Sequence, residues 1–331
     1  MKIPEDVHQR LYRYLGDRTG NFLEEAQNRL DKYTKLWQLR NLSFMPMDTA
    51  NLLFSCESER YGSCVLKVCI PGPEVQTEVN CLLAYQRRGY CKLWAYVLAD
   101  DVLLLERIYP GSQMWMVKDY RERARLLGTC ILNLGLDEMA DLNCEKEYLS
   151  SNEFLLEQYP TYLTWLERVY RNPTKTDGLD EILFYLDKAI EIYTELRECH
   201  PKVCLLHGDL HHENMLLNSE AGYTIIDPKG VIDAPVMESA RFLLNEIFGR
   251  NGIILQEESK ILEMIAIISS IIGFSEEDLL KSLFIDITLS VSWTLEEHFP
   301  TAEAFEGEKQ KGVKACKYAY GLLEGTNKQH R

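Results

Sequence analysis

The chain has 331 residues, too many for one simple core and comfortable for two lobes at about 100 to 200 residues each. With 46% hydrophobic and 26% charged residues it is neither a disordered nor a fibrous sequence. Its 51 acids against 36 Lys and Arg give a net charge of −15, which serves solubility, repels nucleic acid and anionic membrane, and suits a cationic partner.

In chain order, Glu5 to Leu39 carries apolar residues at helical spacing, broken between Gly16 and Gly20, and predicts a helical preface. Asn51 to Cys56, a polar turn over Glu57 to Gly62, and Ser63 to Ile70 predict a β-hairpin. Pro71-Gly72-Pro73 stops the second strand, and Glu74 to Arg88 returns to helical spacing. Two more strands are expected over Ala95 to Leu98 and Val102 to Arg107.

Helices then follow at about 116 to 136, 152 to 170 and 178 to 199. Two short strands, Val203 to Leu206 and Tyr223 to Ile226, interrupt them and flank a loop rich in His, Asp, Glu and Asn. Further helices are predicted at about 236 to 248, 257 to 272 and 276 to 297, the last opened by Ser275 with Asp278 as a capping box. The expected architecture is α+β and bilobal, with a small β-rich lobe over 1–108 and a larger helical lobe over 109–331.

The ten cysteines form no CxxC pair and several fall in apolar segments, so they read as reduced, mostly buried thiols. Met1 to Arg10 has no apolar signal core, and the longest apolar stretch, Ile261 to Ile272, is too short to span a membrane. A cytoplasmic protein without membrane or nucleic-acid partners is expected.

The chemistry concentrates in His207-Gly208-Asp209-Leu210-His211-His212-Glu213-Asn214, followed by Ile226-Asp227-Pro228-Lys229-Gly230. Phosphoryl transfer needs a carboxylate to orient and deprotonate a hydroxyl, and oxygen ligands for magnesium. Asp209, turned into a cleft by Gly208, suits the first role; Asn214 and Asp227, returned to one end by a hairpin, suit the second. The alternative is a His-rich metal site from His207, His211, His212 and Glu213, for which no second His or Cys cluster supplies the remaining ligands.

HGDLHHEN followed by IDPKG resembles the catalytic and magnesium-binding loops of the aminoglycoside phosphotransferases, a family with a protein-kinase-like fold. The fuller wording, LLHGDLHHENML and IDPKGVIDAPVMESARFLLN, is most similar to the streptomycin 6-kinase and hydroxyurea-resistance kinase branch. The resemblance implies Asp209 as catalytic base, His207 as a loop-orienting residue, and Asn214 and Asp227 as magnesium ligands. It further implies that Lys67 holds nucleotide phosphates and pairs with Glu78, with Glu74 one helical turn away as a competing partner.

Main-chain groups of Glu106 and Ile108 would meet the purine of ATP or GTP, and Thr49 would stand in for the glycine-rich loop that is lacking here. Glu238 would brace the catalytic loop. For a cationic, streptomycin-like small-molecule acceptor, the acids expected nearby are Asp233, Glu296 and Glu297, with Trp293 offering an aromatic face. Two other readings stay open: a kinase for another small hydroxylated metabolite (an amino sugar, a choline-like amine, a fructosamine), and a non-catalytic nucleotide-binding protein on the same scaffold.

Overall fold

The computed structural model describes residues 4–47, 49–136, 158–171, 178–249 and 257–329. Asp48, Cys144, the start of the helix expected over 152 to 170, and the Asn172-Pro173 turn lie outside them.

Two helices open the chain, α1 (Glu5–Leu15) and α2 (Thr19–Leu36). The strands β1 (Leu39–Met45), β2 (Leu52–Ser58), β3 (Gly62–Val68), β4 (Leu93–Val97) and β5 (Val102–Glu106) form an antiparallel sheet in the order β1-β2-β3-β5-β4, with α3 (Glu74–Tyr85) between β3 and β4. β1 was not foreseen from the sequence. It pairs with β2 through a bulge between Arg40 and Ser43, which breaks the apolar alternation that marks a strand.

The period-2 alternation of strands separates two layers. Leu52, Phe54, Leu66, Val68, Val102 and Leu104 turn to one face and pack with Val7, Leu11, Phe22, Ala26 and Tyr33 of α1 and α2. Leu103 and Leu105 turn to the other, into the core shared with α3 and the helical lobe. Lys67, next to Leu66, must therefore face α3 and the cleft.

After β5 the chain passes into β6 (Pro110–Gln113), which pairs not with the first sheet but with β8 (Met215–Asn218), itself paired with β9 (Gly222–Ile225). A second pair joins β7 (Cys204–Leu206) to β10 (Val231–Asp233). The expected pairing of Val203 to Leu206 with Tyr223 to Ile226 is thus replaced by two nested hairpins. The reason is the unread strand β8: its Met215 to Asn218 reaches β9 through a three-residue turn, leaving β7 to find β10.

The remaining mass is helical: α4 (Tyr120–Leu134), the short α5 (Tyr162–Leu166), α6 (Asp180–Cys199), α7 (Ala240–Phe248), α8 (Glu258–Ile272), α9 (Glu276–Glu296) and α10 (Ala302–Gln329). α9 is central and buried on several faces, packing on α6, α7 and α10. Ser275 caps it as expected, its hydroxyl accepting from Asp278 N at 3.1 Å. α10 was not foreseen; its charged and glycine-bearing sequence hides the apolar stripe that meets α9. No helix among the described residues is long and apolar enough to cross a membrane, and the described cysteines are all free thiols.

Candidate active site

Lys67 is 2% exposed on β3, so its charge must be paired. Its ammonium donates to both carboxylate oxygens of Glu78, at 2.6 and 2.8 Å, and to Asp227 across the cleft. Burial works against the charge, but Asp227 and Glu78 outweigh it and keep Lys67 protonated. Burial pushes the Glu78 carboxyl up to about 7 against the pull of Lys67. Glu74, the competing partner, turns instead to Lys229 at 3.5 Å.

The loop that carries Asp209 leaves β7 through Gly208, whose φ of 73° is left-handed, and a Cβ there would lie 2.7 Å from Val231 Cγ1 and 3.0 Å from Trp165. Only glycine suits both the dihedral and the space. His207 is fully buried: its Nδ1 accepts from Asp209 N at 3.1 Å while Nε2 donates to Ile226 O at 2.9 Å. One neutral imidazole thereby ties the Asp209 backbone to the residue preceding Asp227; burial holds its pKa down to about 4.

Glu238, buried at the turn before α7, receives His207 N at 3.0 and 3.1 Å on its two oxygens. Burial raises its carboxyl to about 8. Its side chain is long enough to reach the backbone of the loop from that turn.

Asp209 is 21% exposed and points toward Arg241, 3.5 Å away, and His211, 4.0 Å away. Burial opposes its ionisation, but Arg241, His211 and Lys229 overcome it and hold the carboxyl down to about 2. Asn214 Nδ2 donates to Asp209 O at 3.0 Å, which commits the amide nitrogen inward and leaves Oδ1 as the oxygen to offer a cation. Asp227 follows β9 with φ 59°, a conformation that Asp tolerates and that turns its carboxylate out of the strand into the cleft, 38% exposed.

Ile226 N donates to Asn214 O at 3.0 Å, so the two oxygen-bearing side chains sit at the same end of one hairpin. One amide and one carboxylate oxygen fit magnesium, which takes few protein ligands and fills its octahedron with phosphate oxygens and water. The three histidines do not converge: His207 faces Ile226, while His212 is stacked between Trp115 and Phe242 at 3.7 and 3.8 Å and bonded to Glu246 at 2.7 Å. Glu246 also takes Arg123 at 2.6 Å, which makes His212 a buried strut of the loop.

Two partners were missed in the sequence. Arg241 on α7 is held by Asp286 of α9, at 2.8 and 3.0 Å, and presents its remaining nitrogen to Asp209. A signal existed: Asp286 is a lone acid in the apolar run Leu283 to Leu289, and a fully buried carboxylate needs a cation. Lys229 is the other, its Nζ 5.4 Å from the centre of the Trp293 ring.

The residues expected to meet the acceptor disperse. Asp233 is 1% exposed and accepts from Tyr162 N, Tyr193 OH and Ala234 N, so its carboxylate serves the fold. Glu296 is paired with Arg168 at 2.6 Å, and Glu297 lies beside Arg13 of α1. Trp293 does reach the site, but cations surround it: Arg241, Lys229 and Arg168 stand 5.2, 5.4 and 5.7 Å from its ring.

At the interlobe connection, Glu106 N is engaged by Lys92 O at 2.9 Å and its carboxylate accepts from Lys92 N at 3.1 Å, so its N–H is already taken. Ile108 is buried just beyond it. Thr49 sits in the β1–β2 turn, its hydroxyl accepting from Asn51 N at 3.2 Å.

A family model described as aminoglycoside/hydroxyurea antibiotic resistance kinase matches residues 37–298. A streptomycin 3''-kinase of Klebsiella pneumoniae is 32% identical over 109 residues, 33% of this chain and 41% of that protein, so the match spans less than half of the relative. Among solved structures, amicoumacin kinase in complex with AMP-PNP, Ca2+ and Ami aligns at a TM-score of 0.62 and 13% identity, covering 91% of this chain and 93% of that one. Plasmodium vivax ethanolamine kinase aligns at 0.60 and 13% identity, covering 96% and 95%. A thermostable aminoglycoside phosphotransferase with ADP and hygromycin B aligns at 0.54 and 11% identity, covering 89% and 97%. These likenesses show a protein-kinase-like fold.

Proposed function

The chain belongs to the aminoglycoside/hydroxyurea antibiotic resistance kinase family, whose members phosphorylate hydroxyl groups of small molecules, and we propose that it moves the γ-phosphate of ATP or GTP onto an aminoglycoside hydroxyl. The observation that carries this reading is the convergence of Asp209, Asn214, Asp227 and Lys67 on one cleft between the lobes.

In the proposed reaction Asp209 orients the acceptor hydroxyl and takes its proton as the bond to phosphorus forms. Its low pKa suits an orienting base that accepts the proton late, which the loose transition state of phosphoryl transfer allows. Lys67, steadied by Glu78, would hold the phosphates. Asn214 and Asp227 would hold magnesium, which supplies charge neutralisation on the phosphate oxygens.

The aminoglycoside class is supported by the family and by the segment similar to streptomycin 3''-kinase. One observation favours a second reading, a kinase for another small hydroxylated metabolite: the acids expected for a polycation are buried or paired, while three cations ring Trp293. A cytoplasmic location suits the free thiols.

The test is wild type and Asp209→Asn assayed side by side against a panel of aminoglycosides and hydroxylated metabolites with ATP and with GTP, the acceptor being read from the wild type. Phosphorylation should vanish in the variant while nucleotide affinity persists; unchanged turnover would refute the role of Asp209. No turnover of any aminoglycoside, with turnover of a metabolite, would transfer the assignment to the second reading.

A further inference from the structure

Asp227 is paired with Lys67 and would hold magnesium on the nucleotide side, which leaves Asp209 as the carboxylate that a phosphoryl group meets as it passes to the acceptor. In a loose transition state the transferring group carries its charge on three equatorial oxygens, so a side-chain cation on the acceptor side adds to what magnesium supplies on the nucleotide side. Lys67 is committed to the nucleotide side, its side chain buried and bonded to Glu78 and Asp227. Arg241 is 10% exposed and tied to Asp286.

Lys229 differs from both. Its backbone is fixed: its N donates to His207 O at 2.8 Å, and its carbonyl accepts from the Thr77 hydroxyl of α3. The next residue, Gly230, has φ 69° and comes so close to Thr77 that a Cβ would sit 2.5 Å from Thr77 O. The ammonium, by contrast, is held loosely, 3.5 Å from Glu74 and over the Trp293 ring. Glu74 is 64% exposed, and an ion pair so open to water is weak. The Trp293 ring under it also carries Arg241, which stands 3.5 Å from Asp209, so the ammonium lies on the Asp209 side of the cleft.

We propose that Lys229 is a catalytic residue whose ammonium leaves Glu74 to contact the phosphoryl group during transfer; this rests on the kinase reading above. The acceptor oxygen forms a bond to the γ-phosphorus as the bond from that phosphorus to the β,γ-bridging oxygen breaks. The electron pair leaves with the nucleoside diphosphate, and the hydroxyl proton goes to Asp209. Lys229 stays protonated throughout and donates hydrogen bonds to the equatorial oxygens. Its anchored backbone lets the side chain swing without moving the loop, and the Trp293 face keeps the ammonium near the site between turnovers.

The experiment compares wild type, Lys229→Met and Lys229→Arg, using an acceptor that the wild type phosphorylates. The Met variant should lose about 100-fold in kcat with nucleotide KM changed by less than about threefold, and the Arg variant should recover about tenfold of that loss. A second readout is calorimetric binding of MgADP with and without aluminium fluoride, a planar mimic of the moving phosphoryl group. The Met variant should bind MgADP like the wild type yet lose the tightening that fluoride brings. A Met variant that keeps kcat within about threefold, or keeps the fluoride effect, overturns the assignment. A wild type with neither turnover nor fluoride tightening would overturn the kinase reading itself, and the role of Lys229 with it.

Discussion

Replacing Gly208 by Ala tests the geometry that aims Asp209. The perturbation has two separable parts. A left-handed backbone costs an alanine about 1–2 kcal/mol relative to glycine. The added methyl, 2.7 Å from Val231 Cγ1 and 3.0 Å from Trp165, overpacks a buried corner, at about 1–3 kcal/mol. Gly208→Ala should therefore lose about 2–5 kcal/mol in urea denaturation. Because Asp209 is the next residue, a shift of about 1 Å in the loop should also cost about 100-fold in kcat. Val231→Ala removes Cγ1 and so relieves the overpacking but not the dihedral. The double variant should accordingly be more stable than additivity predicts, by about 0.5–3 kcal/mol, with part of kcat restored. A Gly208→Ala protein within about 0.5 kcal/mol of wild type and fully active would refute the strained-turn account, and strict additivity would refute the Val231 contact as its cause.

Lys67→Met should leave Glu78 and Asp227 without their cation and cost about 3–5 kcal/mol in chemical denaturation, along with nucleotide affinity; adding Glu78→Met should recover stability but not binding. Equal stability of Lys67→Met and wild type would show that the buried pair contributes nothing. Glu238→Gln isolates a pH effect. Burial raises the folded-state carboxyl to about 8, above its ordinary value, so its contribution to stability is fully present at acid pH and is lost as pH rises toward 8. Relative to the glutamine variant, wild type should lose about 1.4 kcal/mol per pH unit between roughly pH 4.5 and 8. Parallel stability curves for the two proteins would refute it.

Much of the loop around Asp209 was legible because its parts are local. Asp209, Gly208 and Asn214 lie within seven residues, and a strand ending in Asp227 reads as their neighbour once a hairpin is assumed. Lys67 was legible for a different reason: a lysine inside an apolar strand demands a partner, and α3 follows directly with Glu78 on it.

Tertiary structure decided the rest, since it depends on which distant elements meet. The choice between Glu74 and Glu78 needed the rotation of α3 against β3, which helical spacing cannot supply for two acids one turn apart. Arg241 and Asp286 come together only because α7 packs on α9. Asp233 looks like an acceptor acid until β10 pairs with β7 and buries it under Tyr162 and Tyr193. By itself, then, the sequence determined which polar residues form the proposed phosphate site, since they lie close along the chain or announce themselves by the cost of burying charge. Which charges surround Trp293 was decided by packing, because Arg168, Lys229 and Arg241 reach that ring from three separate segments and only the folded chain brings them to one face.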